Sequence, residues 1–326
     1  MHLPRAVQLG AGTLYAVAAT VFVAVAAFSL GVGAVPNTLA LATAGLTGVV
    51  ALDAGRREFR HAFVGEAVEH AHLERRDAAD ALAVALAGPL TYVLSISLEL
   101  GPVVASALVG LLAALTVGDH AAPAYCGTFV GMASTAVFPT VLTVAAASVV
   151  AAVVFVLTKR VFNGFGGKLG TTAFLGCGTV VVPSSYTYAA GGALAPTPAG
   201  AAVVAATAGA LAAFVLSVHY DYGAVVGSAV VGLAAGLLAP SALGPALGGT
   251  VAAAAFAGSF VGMVSEARLP SLALVGLAGL VSGVVFVGLS PVFAGSGGKL
   301  GTIAFTACLL TWAVDTALDD PTWLGN

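Results

Sequence analysis

Residues 164–174 read G-F-G-G-K-L-G-T-T-A-F, and residues 295–305 read G-S-G-G-K-L-G-T-I-A-F. A lysine set in a glycine-rich break and repeated 131 residues downstream marks an internal duplication. At the same offset, Y-C-G-T-F-V-G-M-A-S from Tyr125 meets F-A-G-S-F-V-G-M-V-S from Phe256. Pro139 falls on Pro270, Phe155 on Phe286, Phe162 on Phe293 and Cys177 on Cys308. Further upstream the offset becomes 122: GPVVASALVGLLAAL from Gly101 meets GAVVGSAVVGLAAGL from Gly223, and Glu99 meets Asp221. The loop around Pro240 to Gly249 absorbs the difference.

Each copy contains five apolar segments, and an odd number of crossings makes the second copy enter the bilayer from the opposite side. The composition supports a bilayer as the solvent. Of 326 residues 60% are hydrophobic and 8% charged, with a mean hydropathy of +1.06; a soluble domain carries roughly 25% charged residues. The expected fold is an all-α polytopic membrane protein of about 12 transmembrane segments of roughly 20 residues each. Two peripheral N-terminal helices occupy residues 1–52, and the charged stretch 53–79 forms a cytoplasmic amphipathic helix. The first five-helix repeat follows at 80–198, and the second, inverted one at 199–326 with a short C-terminal tail. The 42 glycines and many alanines suit close helix packing in lipid.

With both termini cytoplasmic, Arg56, Arg57, Arg60, Arg75, Arg76, Lys159, Arg160, Lys168 and Arg268 fall inside and only Lys299 outside. That assigns the chain to the cell membrane. A net charge of −3 speaks against a nucleic-acid partner. Cys126, Cys177 and Cys308 lie in apolar stretches and read as reduced packing residues. There is no G-x-S-x-G and no haem, iron–sulfur or zinc spacing, so neither an enzyme nor a cofactor is expected.

Five-plus-five inverted repeats, each with a G-x-F-x-G-M helix, a further helix and a Gly/Thr-rich stretch, resemble urea transporters. GAVVGSAVVGLAAGL is similar to the small-residue helix before their pore segment. The resemblance covers about residues 80–318. The family's leucine-proline and threonine-proline-phenylalanine signature is absent; KLGTTAF and KLGTIAF stand in its place. Its Tyr-Gly-Asn-like pore motif is represented by YCGTF and FAGSF. What the resemblance implies is a channel-like path on the pseudo-twofold axis, within a homotrimer.

Several side chains are candidates for that path. Phe129 and Phe260, with Thr128, Ser259, Met132 and Met263, lie on the paired G-x-F-x-G-M segments, where two aromatics beside hydroxyls can form a slot for a planar amide. Packing is the competing role. Thr171 and Thr302 follow the lysine loops and either face the path or bond their own helix. Lys168 and Lys299 sit in equivalent glycine-rich breaks that expose backbone amides. These are not P-loops, because Leu169 and Leu300 stand where Ser or Thr is required. Snorkelling to the interface is their alternative role. Glu99 and Asp221 pair with Lys299 and Lys168 as vestibule charges, with His219 beside the inner mouth. His61, His70 and His72 lack metal-ligand spacing and read as a solvated face, and Asp315 is the acid inside the last helix.

The leading expectation is a channel or facilitator for a small polar, urea-like solute. The alternatives are an ion- or proton-coupled secondary transporter and a non-transporting scaffold subunit.

Overall fold

The computed structural model describes residues 13–22, 24–26, 74–184, 186–189 and 191–319. The second apolar segment at 36–52, the amphipathic stretch up to residue 73 with its three histidines, and the C-terminal tail lie outside the described residues.

Among the described residues the chain is helical, without a strand and with one isolated β-bridge between Ala189 and Ala294. A first helical stretch, α1, covers Thr13–Ala26. Five helices then form one copy: α2 (Arg75–Ile96), α3 (Pro102–Thr116), α4 (Ala121–Gly131), α5 (Val141–Leu157) and α6 (Lys168–Val181). The second copy comprises α7 (Pro196–Phe214), α8 (Ala224–Leu243), α9 (Pro245–Val261), α10 (Leu272–Gly288) and α11 (Lys299–Asp319). By length and composition four segments can cross a membrane: Arg75–Ile96, Pro196–His219, Ala224–Leu243 and Lys299–Leu318. The remaining apolar helices are shorter.

Local chemistry sets the ends. Proline occupies the first turn of α3, α7 and α9, where its missing N–H has no intrahelical partner to lose. Thr140 and Ser271, equivalent in the two copies, cap α5 and α10 by accepting from Thr143 N at 3.3 Å and Leu274 N at 3.2 Å.

Two boundaries differ from the sequence expectation. Arg75, Arg76 and Asp77 belong to the first turn of α2, not to a separate surface helix, because Asp77 accepts from Glu74 N at 2.9 Å and from Lys159 Nζ at 2.8 Å. The division between copies lies in the linker after α6, since Pro196 already starts α7. Helix α4 stops at Gly131, and beyond it Ser134 N donates to Gly295 O at 3.0 Å.

The copies repeat their internal packing. Helix α2 lies against α4 and α5 as α7 lies against α9 and α10, and α5 lies on α6 as α10 lies on α11. Between copies, equivalent helices meet: α3 packs on α8 and α6 on α11. The contacts are reciprocal. Ser134 N donates to Gly295 O at 3.0 Å, and its counterpart Ser265 N donates to Gly164 O at 2.9 Å. Gly170 and Gly301 touch each other so closely that a Cβ on either would collide with the other's Cα. When residue i meets j′ and j meets i′, the relation is two-fold. Among the described residues even the four positive-φ residues other than glycine come as repeat pairs: Glu99 with Asp221 (54° and 55°) and Phe162 with Phe293 (55° and 53°).

Helix α1 crosses that axis. Tyr15 packs on Phe162 and Phe305, while Phe22 packs on the equivalent pair Phe293 and Phe174. The Tyr15 hydroxyl meets Thr158 Oγ1 at 3.1 Å and also Thr172 Oγ1. At the positions equivalent to those threonines stand Leu289 and Ile303, and these cluster with Phe22. One helix without internal symmetry thus lies in a two-fold aromatic groove whose two ends differ in polarity.

Candidate functional site: two cavities flanking an aromatic pair

Where α4 and α9 approach the axis, four rings stack together. Tyr125 and Phe129 lie 4.5 Å apart between centroids, Phe256 and Phe260 4.4 Å, and Phe129 and Phe260 4.5 Å. All four are at most 1% exposed. Glycines on the neighbouring helices seat them: Gly110 of α3 leaves room for the Tyr125 ring and Gly232 of α8 for Phe256. Hydroxyls bond one another beside the rings in two sets. Ser106 Oγ and Thr128 Oγ1 are 2.8 Å apart, Ser228 Oγ and Ser259 Oγ 2.8 Å, and Tyr125 Oη lies 3.0 Å from Ser228 Oγ. Thr128 and Ser259 each also donate to a carbonyl in their own helix, those of Tyr125 and Phe256, at 2.7 Å. Buried hydroxyls need such partners, and here they find them in one another.

Phe129 and Phe260 line two separate cavities. The first, of about 350 Å³, is completed by Met263, the Gly164–Leu169 loop at the start of α6 and a charged group from Arg76, Asp80, Asp119 and Lys159. The second, of about 260 Å³, is completed by Met132, Ser134, the start of α3 and the Gly295–Gly301 loop at the start of α11. Lys168 belongs to one and Lys299 to the other. The two-fold relation of the copies therefore extends to these spaces, which meet only at the phenylalanine pair.

Each lysine braces the helix before it. Lys168 Nζ donates to Thr158 O at 2.9 Å and Asn163 Oδ1 at 2.7 Å; Lys299 Nζ donates to Leu289 O and Val292 O, both at 2.6 Å. Thr158 and Leu289 are the C-caps of α5 and α10, so a cation meets the negative end of each helix dipole. The electrostatics of the two cavities otherwise diverge. Around the first, Arg76 pairs with Asp119 at 3.3 Å, His120 Nδ1 approaches Asp80 at 2.6 Å and Lys159 holds Asp77 at 2.8 Å. Among the described residues no ionisable side chain except Lys299 lines the second.

Of the residues singled out in the sequence, Phe129, Phe260, Met132, Met263, Lys168 and Lys299 therefore come together at the cavities. Thr128 and Ser259 line neither cavity and bond the hydroxyls of Ser106 and Ser228. Thr171 and Thr302 are buried and donate to Gly167 O and Gly298 O at 3.2 Å, within their own helices. Glu99, Asp221 and His219 are exposed at the α2–α3 and α7–α8 links and line neither cavity; Glu99 is three residues from Pro102, which does. Asp315 lies on α11 and also lines neither. Sequence reasoning missed Tyr125, Ser106 and Ser228, although the last two coincide at offset 122 in the aligned small-residue helices.

Among the described residues no group of acidic, histidine or cysteine side chains is arranged to hold a metal ion. Comparison with family models, curated proteins and solved structures returns no match to this chain.

Proposed function

We propose that the chain is a multi-pass membrane protein that conducts a small polar solute along a path between its two repeats. The cavities serve as opposed vestibules, with Phe129 and Phe260 as the constriction between them. The observation that carries this reading is that two cavities, related by the duplication, share the same two rings and, among the described residues, no other lining side chain. Inverted repeats place a solute path where the copies meet. Helix α4 adds support: its 11 residues extend only about 16 Å at 1.5 Å per residue, roughly half the hydrocarbon thickness, so it ends at depth beside the rings. The full set of about 12 crossings, with cytoplasmic termini in the cell membrane, belongs to this proposal.

A urea-like solute is the specific guess that the family resemblance carries. The hydroxyls that would recognise a planar amide are engaged with one another, so the cavities offer it few acceptors. A coupled transporter is the second reading, favoured by the titratable pair Asp80–His120 at the rim of the larger cavity. Stopped-flow light scattering on proteoliposomes tests the proposal with urea, glycerol, ammonium and formate at two pH values. We expect pH-independent flux above empty liposomes, raised and less selective in the Phe129→Ala/Phe260→Ala double variant. Absence of flux with every solute, or a double variant with unchanged rates, contradicts it; flux that requires a proton gradient supports the coupled reading instead.

A further inference from the structure

Resting on that path, we infer that the solute is a small monovalent anion, first held in the Lys299 cavity. Two side chains there have donors left without a partner. An ammonium has three N–H groups, and Lys299 engages Leu289 O and Val292 O, leaving one. Among the described residues no carboxylate lines the cavity to compensate its charge. Ser134, on the opposite wall, has a buried Oγ with no hydrogen-bond partner. The first turn of α11, Gly298 to Gly301, forms the floor. Gly298, at φ 79°, precedes Lys299 and packs against Gly170 O and Phe174 N, and the first N–H groups of the helix after it have no intrahelical partner. The ammonium, the hydroxyl and the helix N-terminus converge on about 260 Å³ of space.

This donor surplus selects among solutes. A buried cation without a counter-charge is costly, and a monovalent anion offsets it one for one. Urea would fill the donors with its single carbonyl but would not offset the lysine charge, and its N–H groups would compete for the Ser134 oxygen. A cation would meet Lys299 as a like charge. The Phe129–Phe260 constriction is compatible with an anion, because aromatic ring edges carry the positive end of the quadrupole. On the far side the larger cavity again begins at a helix first turn with a lysine, α6 and Lys168, and three cations line it against two carboxylates.

The test uses the full chain in liposomes loaded with potassium fluoride, chloride or formate, each alone, in an external solution of an impermeant anion. Valinomycin starts anion efflux, read with an ion-selective electrode or, for formate, by light scattering. Urea and glycerol permeation are measured on the same preparation. We expect efflux of at least one anion well above empty liposomes. Lys299→Met should slow it about tenfold, the effect of losing one charge-assisted contact in the path, and Lys299→Arg should largely retain it. Ser134→Ala, which leaves the lysine bracing intact, should slow it by a smaller factor and guards against a misfolded Lys299→Met. Urea or glycerol flux without anion efflux overturns the anion inference and leaves the path standing. No flux of any kind removes both. Anion efflux indifferent to Lys299→Met and Ser134→Ala overturns the assignment of the site.

Discussion

The two cavities share a backbone and differ in charge. Each is built on the same glycine–lysine loop, the same bracing of a preceding helix C-terminus and the same pair of phenylalanines. Yet among the described residues one is lined by five ionisable side chains and the other by Lys299 alone. The difference teaches where a duplicated fold is constrained. Positions at which backbone meets backbone, such as Gly170 with Gly301, admit no side chain and stay identical. Positions that face open space diverge, and there the copies acquire separate chemistry. Helix α1 exploits the same asymmetry: Tyr15 lies against Thr158 and Thr172, and Phe22 against Leu289 and Ile303 in the equivalent place.

That contrast can be broken first at the shared backbone. Gly170→Val and Gly301→Val should each destabilise the protein by about 3 kcal/mol, the upper end of overpacking costs, because the added Cβ has only a facing Cα to displace. Thermal unfolding in detergent measures this, and Gly249→Val, an exposed helical glycine with open space around it, is the control. The asymmetry at α1 yields smaller effects. Phe22→Tyr places a hydroxyl among Leu289 and Ile303 without a partner and should cost about 1–3 kcal/mol. Tyr15→Phe should cost only about 0.5–1.5 kcal/mol, since Thr158 and Thr172 keep bonds to Val154 O at 2.7 Å and Lys168 O at 3.0 Å. Equal losses from these two substitutions would show that polarity does not set the direction of α1.

Much of this architecture is legible in the chain. Ten apolar runs correspond to α2–α11, because an apolar stretch in lipid satisfies its backbone most simply as a helix. The matched GGKLGT and G-x-F-x-G-M segments lead directly to the residues that meet at the cavities. What they do not disclose is which side chains reach across. Thr171 and Thr302 look as available as Phe129 and Phe260, but bonding within their own helices removes them. The bond from Tyr125 to Ser228 depends on which helices of opposite copies become neighbours, and periodicity within one helix carries no such information. The same holds for α1: Tyr15 and Phe22 are two helical turns apart, yet the groove they fill is assembled from α6, α11 and the loops before them. The break of α4 at Gly131 follows from the bond between Ser134 and Gly295, a long-range contact.

The central claim is that the two cavities are opposite ends of one path. Single substitutions Met132→Cys and Met263→Cys test it most directly, using a membrane-impermeant maleimide added from either side of oriented vesicles. The native Cys126, Cys177 and Cys308 are buried, so the unsubstituted chain gives the background. The account predicts that Met263→Cys is labelled from the cytoplasmic face and Met132→Cys from the other. Labelling of both from the same face would contradict it.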